Sequence, residues 1–213
     1  MTYVELIAAI LGAVSVYFYI IRNHWSWPVG LAQVILFVAV FAQAKLYADM
    51  ILHLVYTVLQ LYGWWQWSKS RLPQVQTCAS ELNDSPQQLA IQVRRLSPLG
   101  NVIACSVGLL MTLVYTYLLL KFTDASLPLA DCFVSSISIV AQCLLAWRYL
   151  ENWLYWIVVD VAAIALFAYK QLWFTTGLYG LFLVMAVIGY RAWRHTWIES
   201  SDESNATGLA VNQ

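Results

Sequence analysis

Seven runs of apolar residues, at about 4–21, 27–44, 48–67, 99–120, 127–147, 152–169 and 175–193, occupy most of a chain of 213 residues. Each is close to the length of about 20 residues that a helix needs to cross the hydrocarbon core of a bilayer. Backbone N–H and C=O groups cannot stay unpaired in lipid, so runs of this kind and length are read as helices. With 62% of residues apolar and 10% charged, the balance is far from that of a soluble domain. The expected class is an all-α integral membrane protein with seven transmembrane helices and no sizeable soluble domain. The first run follows Met-Thr-Tyr-Val-Glu with no basic stretch before it and no convincing cleavage site, which predicts a retained span and not a signal peptide. A net charge of zero leaves no basic patch to displace counterions, which argues against a nucleic-acid partner.

The long polar connection is 68–98, rich in Gln, Ser and Pro, with four basic residues; its 87–95 portion suits a short surface helix. The tail after His195 is polar and acidic and is expected to be disordered. Cys78, Cys105, Cys132 and Cys143 show neither a C-x-x-C motif nor zinc spacing, so they are read as small core residues and no metal is expected. Threading seven spans puts Arg22, Lys69, Arg71, Arg94, Arg95, Arg148, Arg191 and Arg194 on one side and Lys45, Lys121 and Lys170 on the other. Lys and Arg accumulate on the cytoplasmic side, which predicts an outside N-terminus and a cytoplasmic C-terminus.

Sliding the chain by 126 positions without a gap aligns Glu5 with Asp131, Arg22 with Arg148, Trp27 with Trp153, Phe41 with Phe167, Leu46 with Leu172, Asp49 with Thr175, Tyr56 with Phe182, Gly63 with Gly189 and Trp67 with Trp193. Single matches in an apolar alphabet carry little weight. Charges, a helix-start residue and a helix-end Gly and Trp held in register across three spans carry more. The expected organisation is a three-helix repeat over 1–67, a cytoplasmic loop over 68–98, a connecting helix over 99–120, a second three-helix repeat over 127–193 and a cytoplasmic tail over 194–213. One connecting span gives both triplets the same orientation, a 3+1+3 parallel repeat that places a site between the halves at mid-membrane.

Asp160 is the sharpest functional candidate, because it sits in the middle of the 152–169 run. A carboxylate at bilayer depth costs about 2.5–3.5 kcal/mol or more and normally faces a partner or a cavity. Trp153, Trp156 and Asp160 follow at spacings that share a helical face. Two indoles with a carboxylate suit a flat cationic ligand, whereas the alternatives are an interfacial aromatic belt for the tryptophans and a structural hydrogen bond for Asp160. Asp49 and Thr175 start spans and fit helix capping; Glu5 and Asp131 complement helix dipoles or draw cations to the mouth. Gln33, Gln43, Gln60 and Gln142 either hydrogen-bond a substrate or tie helices together. His53 follows Asp49 by four and pairs with it locally or couples to protons. Tyr56, Tyr62, Trp64, Trp65 and Trp67 form an aromatic group that reads as belt or gate. The sequence contains no G-x-x-x-x-G-K-[ST], H-E-x-x-H or G-x-S-x-G, so neither a P-loop pump nor a common intramembrane hydrolase has support. Neither enzymatic activity nor a cofactor is expected.

Four further motifs carry a resemblance: N-x-W-x-W-P-x-G at 23–30, L-Y-A-D at 46–49, G-W-W-x-W at 63–67 and E-N-W-x-x-W-x-x-x-D at 151–160. Together, over nearly the whole of 4–193, the chain resembles the PnuC family of bacterial vitamin transporters. The resemblance implies a SWEET-like seven-helix fold, a homotrimer in the inner membrane, and uptake of a small-molecule vitamin by facilitated diffusion. A cytoplasmic vitamin kinase is implied to trap the substrate by phosphorylation, and the W-x-x-W pair, here Trp153 and Trp156, to contact it. Members of the family move nicotinamide riboside, thiamine or riboflavin. The nicotinamide riboside type is implied to carry asparagines on the last two spans, and 153–193 contains no Asn. The expectation therefore leans to thiamine, with Gln142, Gln60 or Asp160 on its pyrimidine, and keeps nicotinamide riboside as the alternative. The competing readings are a substrate-binding subunit of an energised transporter, a membrane enzyme, and a sugar transporter of the same general fold.

Overall fold

The computed structural model describes residues 3–43, 47–69, 92–122 and 127–210, with the side chains of Glu5, 47–49, Phe122 and 202–210 outside the description. The described residues form seven helices, α1 (Tyr3–Ile20), α2 (Ser26–Gln43), α3 (Tyr47–Lys69), α4 (Pro98–Phe122), α5 (Pro128–Ala146), α6 (Asn152–Tyr169) and α7 (Trp173–Ala210), and no strand. By length and composition α2, α4, α5, α6 and α7 are apolar enough to cross a membrane. In α1 the apolar part is the shorter Leu6–Ile20. The 23 residues of α3 are long enough, but His53, Gln60 and Gln66 dilute its apolar content.

In the first half α1 packs on α2 and α2 on α3; in the second α5 packs on α6 and α6 on α7. The halves meet where α1 touches α7 and α3 touches α5, and α4 packs on α5. At this seam lie four fully buried or nearly buried indoles, Trp27, Trp67, Trp153 and Trp193. Trp27 meets Trp67 edge-on at 5.4 Å between ring centroids, and Trp153 meets Trp193 in the same way at 5.6 Å. Trp67 Nε1 donates to the Ala146 carbonyl at the end of α5 (3.2 Å), and Trp193 Nε1 donates to the Tyr19 and Ile20 carbonyls at the end of α1 (3.1 and 3.2 Å). Each crossing indole thus donates to carbonyls in the last turn of a helix of the other half, where intrahelical partners run out.

The turns that follow α1 and α5 have the same backbone. Arg22 and Arg148 take positive φ values of 56° and 64°. Arg22 N donates to Tyr19 O and Asn23 N to Phe18 O, as Arg148 N does to Leu145 O and Tyr149 N to Leu144 O. This is the Schellman arrangement, with arginine where glycine is favoured, and the left-handed conformation costs an L-residue roughly 1–2 kcal/mol.

Two expectations change. Residues 92–97 are not helical: Arg94 N donates to Arg148 O and Leu150 N to Arg94 O, both at 2.8 Å, and Leu96 N donates to Glu151 Oε2 at 2.9 Å. The α5–α6 turn takes the backbone bonds that a surface helix would have kept, while 87–91 lie outside the described residues. The tail is helical through Ala210. Propagating an existing helix gains one hydrogen bond per residue fixed, 194–207 contain no Pro or Gly, and the Ser200 and Ser201 hydroxyls close back onto Trp197 O.

Candidate functional site

Positions 126 apart divide into two groups. Where the residues agree, as at Trp27 and Trp153, Gly63 and Gly189, or Trp67 and Trp193, they pack the seam. Where they disagree, the side chains are polar or bulky on one half only. Gly30 stands against Trp156, Val34 against Asp160, Gln60 against Ala186, Val16 against Gln142, Gln33 against Val159, and His53 against Tyr179. The differences compensate in volume. Gln60 extends into the space beside Gly30, and Gln33 into the space beside Gly12; at the equivalent positions of the other half the pairs are Trp156 with the small Ala186, and Val159 with Ser138.

The polar side of this region belongs to α1, α3 and α5. The Tyr19 hydroxyl donates to Gln60 Oε1 at 2.8 Å, with Ser15 and Gln142 beside it. Gln142 is buried, and its Nε2 has no hydrogen-bond partner among the described residues. A buried donor without a partner calls for an explanation. Tyr56 lies against Ser138 across the α3–α5 contact, with Tyr179 of α7 near enough to interact electrostatically. Tyr179 also interacts with Asp160, so Tyr56, Tyr179 and Asp160 form a connected group.

On α6, Asp160 is 2% exposed and makes no hydrogen bond or ion pair among the described residues. One turn earlier Trp156 packs against both buried apolar clusters of the protein. A carboxylate and an indole on α6, with amide and hydroxyl groups on α1, α3 and α5, are the group types that suit an asymmetric ligand with a flat cationic ring and a hydrogen-bonding remainder.

The structure does not bring all the sequence candidates together. Trp153, 2% exposed, lies on Gly189 and edge-on to Trp193. These packing contacts fix the ring, while its buried Nε1 donor has no hydrogen-bond partner among the described residues. The Asp49 side chain is outside the described residues, so its proposed pairing with His53 has no geometry; the His53 ring instead packs between Phe37, Phe41 and Tyr56. Asp131 is in the first turn of α5 with both carboxylate oxygens 2.8 Å from Lys170 Nζ. Tyr19, Tyr179, Ser15 and Ser138 join the site without having been singled out from sequence. The usable signal was disagreement across the offset: Tyr19 stands against Leu145, and Ser15 against Ala141. An apolar cleft of about 680 Å³ between α4, α5 and α6, lined by Leu109, Leu113, Phe133 and Ala162, contains none of the candidate residues.

Residues 2–195 match the nicotinamide mononucleotide transporter family. The chain is 25% identical to the nicotinamide riboside transporter PnuC of Escherichia coli strain K12 over 229 aligned positions, covering 99% of this chain and 91% of that protein. It is 29% identical to the protein of the same name from Neisseria mucosa, over 88% of this chain and 70% of that one. Among solved structures, the crystal structure of the vitamin B3 transporter PnuC superposes with a TM-score of 0.71 at 26% identity, covering 92% of this chain and 83% of that one. Neither relative is named for thiamine, so the lean toward thiamine finds no support in them.

Proposed function

Because the chain belongs to the nicotinamide mononucleotide transporter family, a family of multi-pass membrane transporters for vitamin-like small molecules, we propose that it carries nicotinamide riboside by facilitated diffusion. The observation that carries this reading is Asp160, buried on a helix long and apolar enough to cross a membrane, with no hydrogen bond or ion pair among the described residues and one turn from Trp156. Nicotinamide riboside has a pyridinium cation for the carboxylate and indole, and an amide and ribose for Gln60, Gln142, Tyr19 and Tyr56. The absence of Asn from 153–193 weighed against the riboside in the sequence. That argument looked for amides on α6 and α7, whereas glutamines on α3 and α5 offer the same groups from across the seam.

The 3+1+3 SWEET-like organisation belongs to this proposal and is supported by matching turns and reciprocal indole bonds at positions 126 apart. The proposal further includes an outside N-terminus, a homotrimer in the inner membrane, trapping of the substrate by a cytoplasmic kinase, and no catalysis by the chain itself. A duplicated bundle with a site between its halves fits alternating access without a coupled reaction.

The test is equilibrium binding of nicotinamide riboside and of thiamine to the detergent-solubilised protein and to Asp160→Asn. The riboside is expected to bind the wild type and to bind Asp160→Asn at least tenfold more weakly, about 1.4 kcal/mol. Thiamine binding without any response to the riboside overturns the substrate, and equal riboside affinity in the variant removes Asp160 from the site.

A further inference from the structure

Arg22 and Arg148 hold equivalent left-handed positions, yet their surroundings differ in sign. Both guanidiniums are about half-buried, with Arg22 Nη1 and Arg148 Nε lacking a hydrogen-bond partner among the described residues. Burial lowers the pKa of Arg22, and Glu199 on the extension of α7 opposes that lowering. Among the described residues no such counter-charge acts on Arg148. Burial lowers its pKa, and the neighbouring Arg94 lowers it further.

The two cations at the α5–α6 turn are held there by their own backbones, through the bonds from Arg94 N to Arg148 O and from Leu150 N to Arg94 O. The Arg94 guanidinium is further placed over the Tyr149 ring, 5.3 Å from its centroid. The nearby carboxylate, Glu151, is already engaged by Leu96 N and by Arg95, at 3.8 Å. Two cations at one turn, with Arg94 near enough to act electrostatically on Arg148 and the Arg148 Nε donor unused among the described residues, form an arrangement that an anion completes. Exposed indoles gather around this end, Trp147, Trp25 and Trp65, with Trp147 Nε1 donating to the Tyr62 hydroxyl at 2.8 Å, the pattern of an interfacial aromatic belt.

We propose that Arg94 and Arg148 form a phosphate-binding site at the α5–α6 turn, one that accepts the phosphate of an anionic lipid headgroup or a free phosphate group. Arginine supplies the forked donors that phosphate geometry matches, and basic pockets between helices at the membrane surface recognise lipid headgroups in this way. Arg22, whose counter-charge is Glu199, takes no part and serves as the internal control.

The full-length protein, stripped of lipid in uncharged detergent, is titrated at constant ionic strength with sodium phosphate and separately with short-chain phosphatidylglycerol, with phosphatidylcholine as the zwitterionic control, and thermal unfolding is followed. A ligand that binds only the folded state raises the unfolding temperature, so the wild type is expected to gain a few degrees from phosphatidylglycerol over phosphatidylcholine, from phosphate, or from both. Arg148→Gly, which suits the positive φ, is expected to unfold no earlier than wild type without ligand and to lose most of the shift. Arg94→Gln is expected to lose it as well, and Arg22→Gly to keep it. A shift with both ligands assigns a general phosphate site, and one with phosphatidylglycerol alone assigns a lipid headgroup. No shift with either ligand, a full shift in Arg148→Gly, or an equal loss in Arg22→Gly overturns the proposal.

Discussion

Trp153 and Trp156 stand three residues apart on α6, and their neighbours give them different work. Trp153 matches Trp27 across the offset, lies on Gly189 and closes against Trp193, which is what a packing residue does. Trp156 stands where the other half has Gly30, so no symmetric packing demand accounts for an indole there. The shared helical face made both look like ligand contacts in the sequence; the three-residue spacing was legible, but the identity of the residue beneath each ring was not. Truncating a buried indole to alanine typically costs about 3–5 kcal/mol. Trp153→Ala is therefore expected to lower the unfolding temperature of the purified protein markedly, with the riboside affinity of the remaining folded fraction within a few-fold of wild type. Trp156→Ala, which is only partly buried but packs against both apolar clusters, is expected to lower the unfolding temperature less than Trp153→Ala and to weaken binding tenfold or more. Parallel thermal unfolding and binding measurements distinguish the two, and the reverse pattern would exchange their roles.

At the scale of helices, the seam depends on how closely a ring approaches a backbone. The Trp27 ring occupies the place where a Cβ at Gly63 would stand, and a Cβ at Gly189 would lie 2.6 Å from Trp153 Cη2. Neither ring is free to move away, since Trp27 is locked by Trp67 and Tyr19 and Trp153 by Trp193. Overpacking of this kind costs about 1–3 kcal/mol, so Gly63→Ala and Gly189→Ala are each expected to reduce thermal stability. Gly177→Ala, a position with open space around it, is expected to leave stability unchanged or slightly improved. Thermal unfolding of the three variants in one detergent checks this ordering. Helix existence was legible for a simple reason: lipid demands unbroken apolar runs, and the sequence displays them. Helix ends were less so. The polar composition after His195 suggested disorder, but composition does not stop a helix already running, and α7 continues to Ala210. The region before Pro98 looked helical until the α5–α6 turn claimed Arg94, a long-range pairing that no local pattern announces. Tyr19 and Tyr179 were hidden for a related reason: a tyrosine in an apolar run is equally compatible with the headgroup belt and the interior, and only the facing side chains, Gln60 for one and Asp160 for the other, separate the two.

For the whole molecule, charge is sorted by end. The crossing bonds from Trp193 to Tyr19 and Ile20 and from Trp67 to Ala146, with the pairing of Arg94 to Arg148, gather Arg22, Lys69, Arg94, Arg95, Arg148, Arg191 and Arg194 at one end of the bundle. At the opposite end Lys170 is neutralised by Asp131. A basic end of this kind is held on the cytoplasmic side during insertion, so this sorting predicts which end of the bundle faces the cytoplasm. The expected topology is tested in intact cells with a membrane-impermeant thiol reagent, on single cysteines introduced into a background whose native cysteines are replaced. Gln171→Cys, in the exposed turn between α6 and α7, is expected to label from outside, whereas Arg194→Cys, exposed at the basic end of α7, is expected to label only after the membrane is opened. The opposite pattern would invert the protein, turning the basic end outward and moving the Arg94 and Arg148 site to the outer leaflet; labelling of both positions in intact cells would require two insertion orientations, which an excess of eight basic residues over three argues against.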